Sequence, residues 1–234
     1  MIVSAHQPQY IPWLGYFDKI DKSDCFVFLD TVQYKKREYQ NRNRIRTKDS
    51  WIWLTVPVKT KGSLDQRLCD VLIDNDLDWA NQHSKSLQSW YGTAVYFNEY
   101  FPFFKTVYEK KWERLVDINI HIIKYLLNVL KIDTKVCLES EIGTTKKSTE
   151  RILEVCKKLK AEVYLSGAGG KDYLNGELFV KDAIELRYQE FTHPDYKQQF
   201  MTERHGFEPC MSVLDLLFNA GTKSLGIIRD GKKQ

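Results

Sequence analysis

The chain has 234 residues, of which 43% are hydrophobic and 28% charged, enough to bury a sizeable core in one domain. Its formal net charge of +4 excludes a strong global field toward nucleic acid or membrane and leaves electrostatic recognition to local patches. No run approaches eighteen consecutive apolar residues, and the N-terminus lacks the basic start and uninterrupted apolar stretch of a signal peptide, so a cytoplasmic protein is expected.

In chain order, IVSAH (2–6) reads as a first strand, and YIPWLGYFDKIDKSD (10–24) as a helix ending near Ser23 and Asp24. CFVFLD (25–30) is a second strand whose continuous apolar run predicts burial on both faces. WIWLTVPVK (51–59) predicts a third strand with Pro57 near its end, and LCDVLI (68–73) a fourth, together a small hairpin or sheet edge. Residues 77–131 carry helical patterns with no strong strand signal between them, which marks a helical insertion in a single domain spanning 1–234. The sheet resumes with KVCLESEI (135–142). STERILEVCKKLKA (148–161) predicts a helix capped at Ser148 or Thr149. EVYLS (162–166) then runs into Gly167-Ala168-Gly169-Gly170 and a further helix, the βα turn of a doubly wound sheet, where ligands settle at the carboxyl ends of strands. IELRYQEF (184–191) predicts the last strand, followed by a helix over Met211–Leu217 and a basic tail. The alternation implies an α/β, Rossmann-like fold with a mostly parallel sheet.

Four stretches carry candidate chemistry. His6, with Gln7 and Pro8, ends the first strand, close in such a sheet to Asp30 at the end of the second and Ser166 at the end of a later one. An imidazole, a carboxylate and a glycine turn on one sheet edge suit acid–base chemistry or phosphate transfer, although a histidine at a strand end also serves as a structural hydrogen-bonding group. The turn Gly167, Gly169, Gly170 lets backbone amides approach a phosphate; it matches neither GxGxxG nor GxxxxGK[ST], and glycine equally relieves a tight turn. Between Lys35 and Lys48 stand seven basic residues against Glu38 alone; Arg42 and Arg44, interleaved with Asn41 and Asn43, supply forked donors for phosphate or carboxylate, unless the run is simply a solvated loop. The modest basic balance and the lack of a nucleic-acid-binding motif favour a small anionic ligand over a polynucleotide. Finally, His193, Asp195, Tyr196 and Gln198 occupy a proline-bearing loop after the last strand.

His83 and His121 fall among apolar neighbours in the helical region, and the aromatics Trp90, Tyr91, Phe101, Phe103 and Phe104 read first as core, with a pocket wall or an oligomer face as alternatives. Cys25, Cys69, Cys137, Cys156 and Cys210 are odd in number, widely spaced and without a CxxC pair, as reduced thiols would be. No metal-binding or covalent-nucleophile motif stands out.

HQPQYIPWLGYFDKI, SDCFVFLDTVQYKKREYQNRNRI, WLTVPV, YLSGAGGKDYL, FTHPDYKQQF and SVLDLLFNAG together resemble the WbqC-like protein family, in order over nearly the whole chain. That resemblance implies a role in bacterial O-antigen or other surface-polysaccharide biosynthesis, with His6, Gln7, Pro8, Tyr10, Gln33, Arg42, Asn43, Ser166, Gly167, Gly170, Tyr173, His193, Pro194 and Tyr196 as recurring positions. The layout is also similar to nucleotidyltransferase-type Rossmann-like enzymes, but PQYIPWLGY stands where those carry HxGH, which puts ATP chemistry in doubt. The expected function is transfer of an acyl or aminoacyl group to a nucleotide-linked sugar, with ATP and magnesium as the cofactor if the acyl group is activated first. His6 would be the base and Asp30 its orienting partner, with Lys36, Arg42 and Arg44 on phosphates. The alternative is a non-catalytic scaffold that uses the aromatic helices as its interface, with a second copy of the chain as one candidate partner.

Overall fold

A computed structural model describes residues 1–59 and 65–231. Strand β1 (Ile2–His6) leads through α1 (Leu14–Asp21) to β2 (Cys25–Phe28), then to β3 (Arg42–Arg46) and β4 (Trp51–Thr55). Three helices follow, α2 (Trp79–Tyr91), α3 (Phe97–Glu109) and α4 (Leu115–Leu130). Next come β5 (Lys135–Leu138), the single turn α5 (Glu139–Ile142), α6 (Ser148–Leu159), β6 (Val163–Ser166), α7 (Gly176–Lys181) and β7 (Glu185–Tyr188). The chain closes with α8 (Val213–Ala220) and α9 (Ser224–Asp230). The expected basic tail begins at Lys232, outside the described residues.

Five strands form a wholly parallel sheet in the order β5-β2-β1-β6-β7, a Rossmann-like arrangement. From β1 the chain builds outward to β2 and β5, then returns to the other side of β1 to lay down β6 and β7. The strand order therefore reverses between β1 and β6, and a crevice opens above their carboxyl ends.

Alternation along the strands assigns the two faces. Val3, Ala5, Cys25 and Val27 pack with Ile152, Val155 and Cys156 of α6 and Phe179 of α7. The opposite face presents Phe26 and Phe28 to Leu14, Phe17 and Ile20 of α1, within a larger cluster that continues through Leu126 of α4 and Phe218 of α8. Burying each of these large side chains stabilises the fold by roughly 1.5–3 kcal/mol. Because Ser4 pairs with Phe26 and His6 with Phe28, both stand on the α1 face.

Three local expectations need correction. The basic run is not wholly a loop: Arg42–Arg46 is a strand antiparallel to β4, with Asn43 and Ile45 buried in alternation with the arginines. LCDVLI is not a strand; Leu68–Asp70 forms a short 3-10 turn, and Leu72 and Ile73 make only isolated bridges. Neither Ser148 nor Thr149 caps α6, whose N-cap is Lys147; the Thr149 hydroxyl instead accepts from the Asn175 amide at 3.1 Å.

Candidate functional site

The crevice at the switch point is lined by His6, Trp13, Gly15, Tyr16, Lys19, Gly167, Ala168, Gly169, Gln189 and Phe191, around a cavity of about 240 Å³. Each wall has a local cause. β1 ends at His6, and its last residues pass into α1 through Trp13, whose indole lies over Gly15 so closely that a Cβ there would stand 2.3 Å from the ring. β6 ends at Ser166, whose hydroxyl donates to the Gly167 carbonyl at 3.0 Å; a Cβ on Gly170 would sit 1.9 Å from that hydroxyl, so glycine is required there for space. Gly169 meets no neighbour within 4 Å of a built Cβ and leaves the rim open.

His6 Nδ1 lies 3.1 Å from the Gln7 carbonyl, which also accepts from the Tyr16 hydroxyl at 3.1 Å. A carbonyl only accepts, so Nδ1 carries the proton and Nε2 is left as an acceptor. Burial, and then the charge of Lys19, pull the His6 pKa down to about 3 against the opposing pull of the Gln7 bond, so the ring is neutral at physiological pH.

Lys19, on α1, is 3% exposed. Its Nζ donates to the Ala5 carbonyl at 3.1 Å and lies 5.9 Å from the centre of the Phe26 ring. Desolvation lowers its pKa to about 7. A Cβ on Gly167 would stand 3.6 Å from Nζ, so the amine reaches the glycine turn itself. The neighbouring carboxylate, Asp18, is occupied by its ion pair with Lys22 and by Gln189 Nε2 at 2.7 Å; Gln189 also donates to the Gly15 carbonyl at 2.8 Å and so ties β7 to α1.

The other sequence candidates lie elsewhere. Asp30 does not orient His6: its Oδ1 accepts from the Ser140 amide at 3.0 Å and so holds the first turn of α5. Tyr10 is fully buried and bonds His83 Nδ1 at 2.8 Å and the Tyr108 hydroxyl at 2.7 Å, locking β1's exit to the helices. Asn43 donates to the Ile11 carbonyl at 2.8 Å, while Gln33 and Lys36 are exposed, with Gln33 bonded to Asp65 at 3.0 Å. Arg42 stacks on Trp53 with 4.1 Å between guanidinium and ring centre, and Arg44 donates to the Cys210 carbonyl at 3.1 Å, so the basic strand does not reach the crevice lining. Tyr173 is exposed.

The 193–198 loop forms a second, buried constellation. His193 donates from Nδ1 to the Pro194 carbonyl at 2.9 Å and accepts at Nε2 from the Cys210 amide at 3.2 Å, which consumes both nitrogens. Asp215 accepts from Tyr91 at 2.9 Å, Tyr196 at 2.8 Å and Gln198 at 2.7 Å, and Gln198 Oε1 takes a bond from Arg46 at 3.0 Å. Among the described residues, sequence candidates meet open space in two places: His193, Pro194 and Asp195 line a cavity of about 170 Å³, and at the switch-point crevice His6, Gly167 and Gly169 are joined by Lys19 and Gln189, which the sequence reading had not singled out.

A family model, the WbqC-like protein family, matches residues 7–227. The chain belongs to the WbqC-like family. Within the match lie the glycine turn, Lys19, Gln189 and the Asp215 network; His6 stands one residue before it. A relative, the protein Rv1507c of Mycobacterium tuberculosis, described as uncharacterized, is 34% identical over 229 residues, covering 97% of each chain. No solved structure matches significantly. Among the described residues no helix is long and apolar enough to cross a membrane, and no group of three or more His, Cys, Asp or Glu side chains is placed to hold a metal ion.

Proposed function

We propose that this WbqC-like protein is a group-transfer enzyme of bacterial surface-polysaccharide biosynthesis, moving an acyl or aminoacyl group onto a nucleotide-linked sugar at the β1–β6 crevice. The observation that carries this reading is the pairing, in one cavity at the switch point, of a neutral imidazole and a buried amine beside an open glycine turn. Membership of the family supports the pathway.

In the transfer, a hydroxyl or amino group of the sugar attacks the carbonyl carbon of an activated acyl donor. Its proton passes to His6 Nε2, and the donor's thiolate or nucleotide leaves with the electrons of the broken bond. Where the donor is first activated, ATP with magnesium would supply the leaving group, and the unobstructed backbone at Gly169 supports a seat for its phosphates there. Trp13 and Phe191, which line the cavity, would shield the reacting atoms from water.

The test is thermal stability of the purified protein against ATP with magnesium, nucleotide-linked sugars and acyl-coenzyme A. A ligand at 100 times its dissociation constant stabilises the fold by about 2.7 kcal/mol. Turnover with the stabilising pair should drop ~10²- to 10⁴-fold in His6→Ala, the usual contribution of a placed base. Silence across the panel from a folded protein would replace this reading with a non-catalytic binding protein.

A further inference from the structure

Among the described residues two basic side chains are buried, Lys19 and Arg46, and they are treated differently. The Arg46 guanidinium donates to Gln198 Oε1 at 3.0 Å and to the Gln199 and Gly206 carbonyls at 2.8 Å each, within reach of the Asp215 charge. Lys19 has one carbonyl, Ala5, and among the described residues no carboxylate stands within 4.0 Å of it. A buried ammonium without a counter-ion costs several kcal/mol, and such a cost persists where a ligand removes it.

We propose that the crevice is built for a small carboxylic acid carrying a hydroxyl or amino substituent, and that its carboxylate is the counter-ion Lys19 lacks. The inference rests on the transfer reading in its ATP-dependent form, in which this acid enters with a free carboxylate and becomes the acyl donor once ATP has activated it.

Three features point to this class. The cavity, about 240 Å³, lies below the ~300 Å³ at which sites for drug-sized ligands begin, so it encloses a small acid and leaves the bulk of a nucleotide-linked sugar outside it. Trp13, Tyr16 and Phe191 offer ring surface to a short hydrocarbon portion. Among the described residues nothing bonds His6 Nε2, so in the acid complex it takes one O–H or N–H from the substituent and the crevice reads both ends of the acid, a bond the sugar's attacking group replaces at the transfer step.

The groups around Lys19 leave this role to a ligand. β1 offers His6, held neutral; β2 offers the Phe26 ring; α1 itself offers Tyr16 and the Asp18–Lys22 pair, with Asp18 also bound to Gln189; and the β6 turn presents Gly167. An acid seated on Lys19 holds it protonated, so binding above pH 7 takes up a proton. Its negative charge also offsets the Lys19 charge that weakens His6, so the imidazole becomes a stronger base only in the loaded crevice.

The experiment is titration calorimetry of the full chain with L-lactate, propionate and inorganic phosphate, at pH 6.5 and 8.5, in two buffers of different ionisation enthalpy. Expected are lactate binding that is tighter than propionate binding, weakens by about tenfold per pH unit above 7, and takes up close to one proton at pH 8.5. Lys19→Met, checked for folding by its unfolding transition, should lose at least tenfold in lactate affinity. Should that variant not fold, the proton uptake and pH dependence of the wild type decide alone. Binding of phosphate but no carboxylate, lactate affinity equal in Lys19→Met, pH-independent binding, or no anion binding at all would each overturn the proposal. A chain that binds lactate through Lys19 yet transfers nothing keeps this inference and loses the transfer reading.

Discussion

Lys19 Nζ donates to the carbonyl of Ala5 at 3.1 Å, so a helix that leaves the first strand returns its one buried amine to the end of that same strand. The bond places an ammonium in a wall of the switch-point crevice and sets its charge against the neutral ring of His6.

This arrangement costs stability in a pH-dependent way. The amine titrates near 7 in the fold and at its ordinary 10.5 in the unfolded chain, so between those values the unfolded state holds more protons. Stability should therefore rise as pH climbs from 7 toward 10.5. Lys19→Met removes the buried charge and should stabilise the protein at pH 7 by roughly 1–4 kcal/mol, flattening that rise; urea unfolding at pH 7, 8.5 and 10 measures both. A variant less stable than the wild type at pH 7 would speak against an uncompensated charge.

On the acid side two histidines contribute. His6 and His83 are each drawn down to about 3, mainly by burial, from an unfolded value of 6.5. Both are neutral in the fold while the unfolded chain takes up protons, so the stability they supply is present above pH 6.5 and is lost as pH falls toward 3. His83, 5% exposed and bonded to Tyr10, should account for up to about 1.4 kcal/mol per pH unit in that window. His83→Gln should reduce the slope of unfolding free energy against pH between 6 and 4, and an unchanged slope would show that His83 does not carry it.

Much of this fold is readable from local pattern. The five parallel strands lie where apolar runs end in turn residues, and α2, α3 and α4 lie within the helical stretch at 77–131. β3 was obscured because arginines fill every second position, Arg46 among them buried: the period-two signal in RNRIR rests on Asn43 and Ile45, and the charges outweigh it. Lys19 was hidden for the opposite reason. DKIDKSD reads as the polar end of an amphipathic helix, yet every residue from Leu14 to Ile20 is buried, so α1 has no solvent face over that span. The usable clue was the company Lys19 keeps one turn back, the uncharged Gly15 and Tyr16, with Lys22 and Ser23 one turn on. Asp30 was assigned to His6 because adjacent parallel strands end together; the register does bring the ends level, but the carboxylate turns to the Ser140 amide.

The loop after β7 reads in sequence like a binding loop and is built as a clamp. Removing its acceptor with Asp215→Ala would leave the Tyr91 and Tyr196 O–H protons without their acceptor and Arg46 without its nearby charge, at a cost of about 3–5 kcal/mol in urea unfolding. Lactate affinity of the molecules that remain folded should not change, because none of these residues lines the crevice. Loss of affinity without loss of stability would return the loop to the binding site.

The most direct measurement is the titration of Lys19 itself, followed through the Cε carbon chemical shift in protein labelled with ¹³C-lysine and assigned by comparison with Lys19→Met. A midpoint near 7, moving upward when lactate is added, is the result this account requires. A midpoint above 10 that lactate leaves in place would mean that the amine is solvated or already paired, and that the crevice between β1 and β6 is not the anion site.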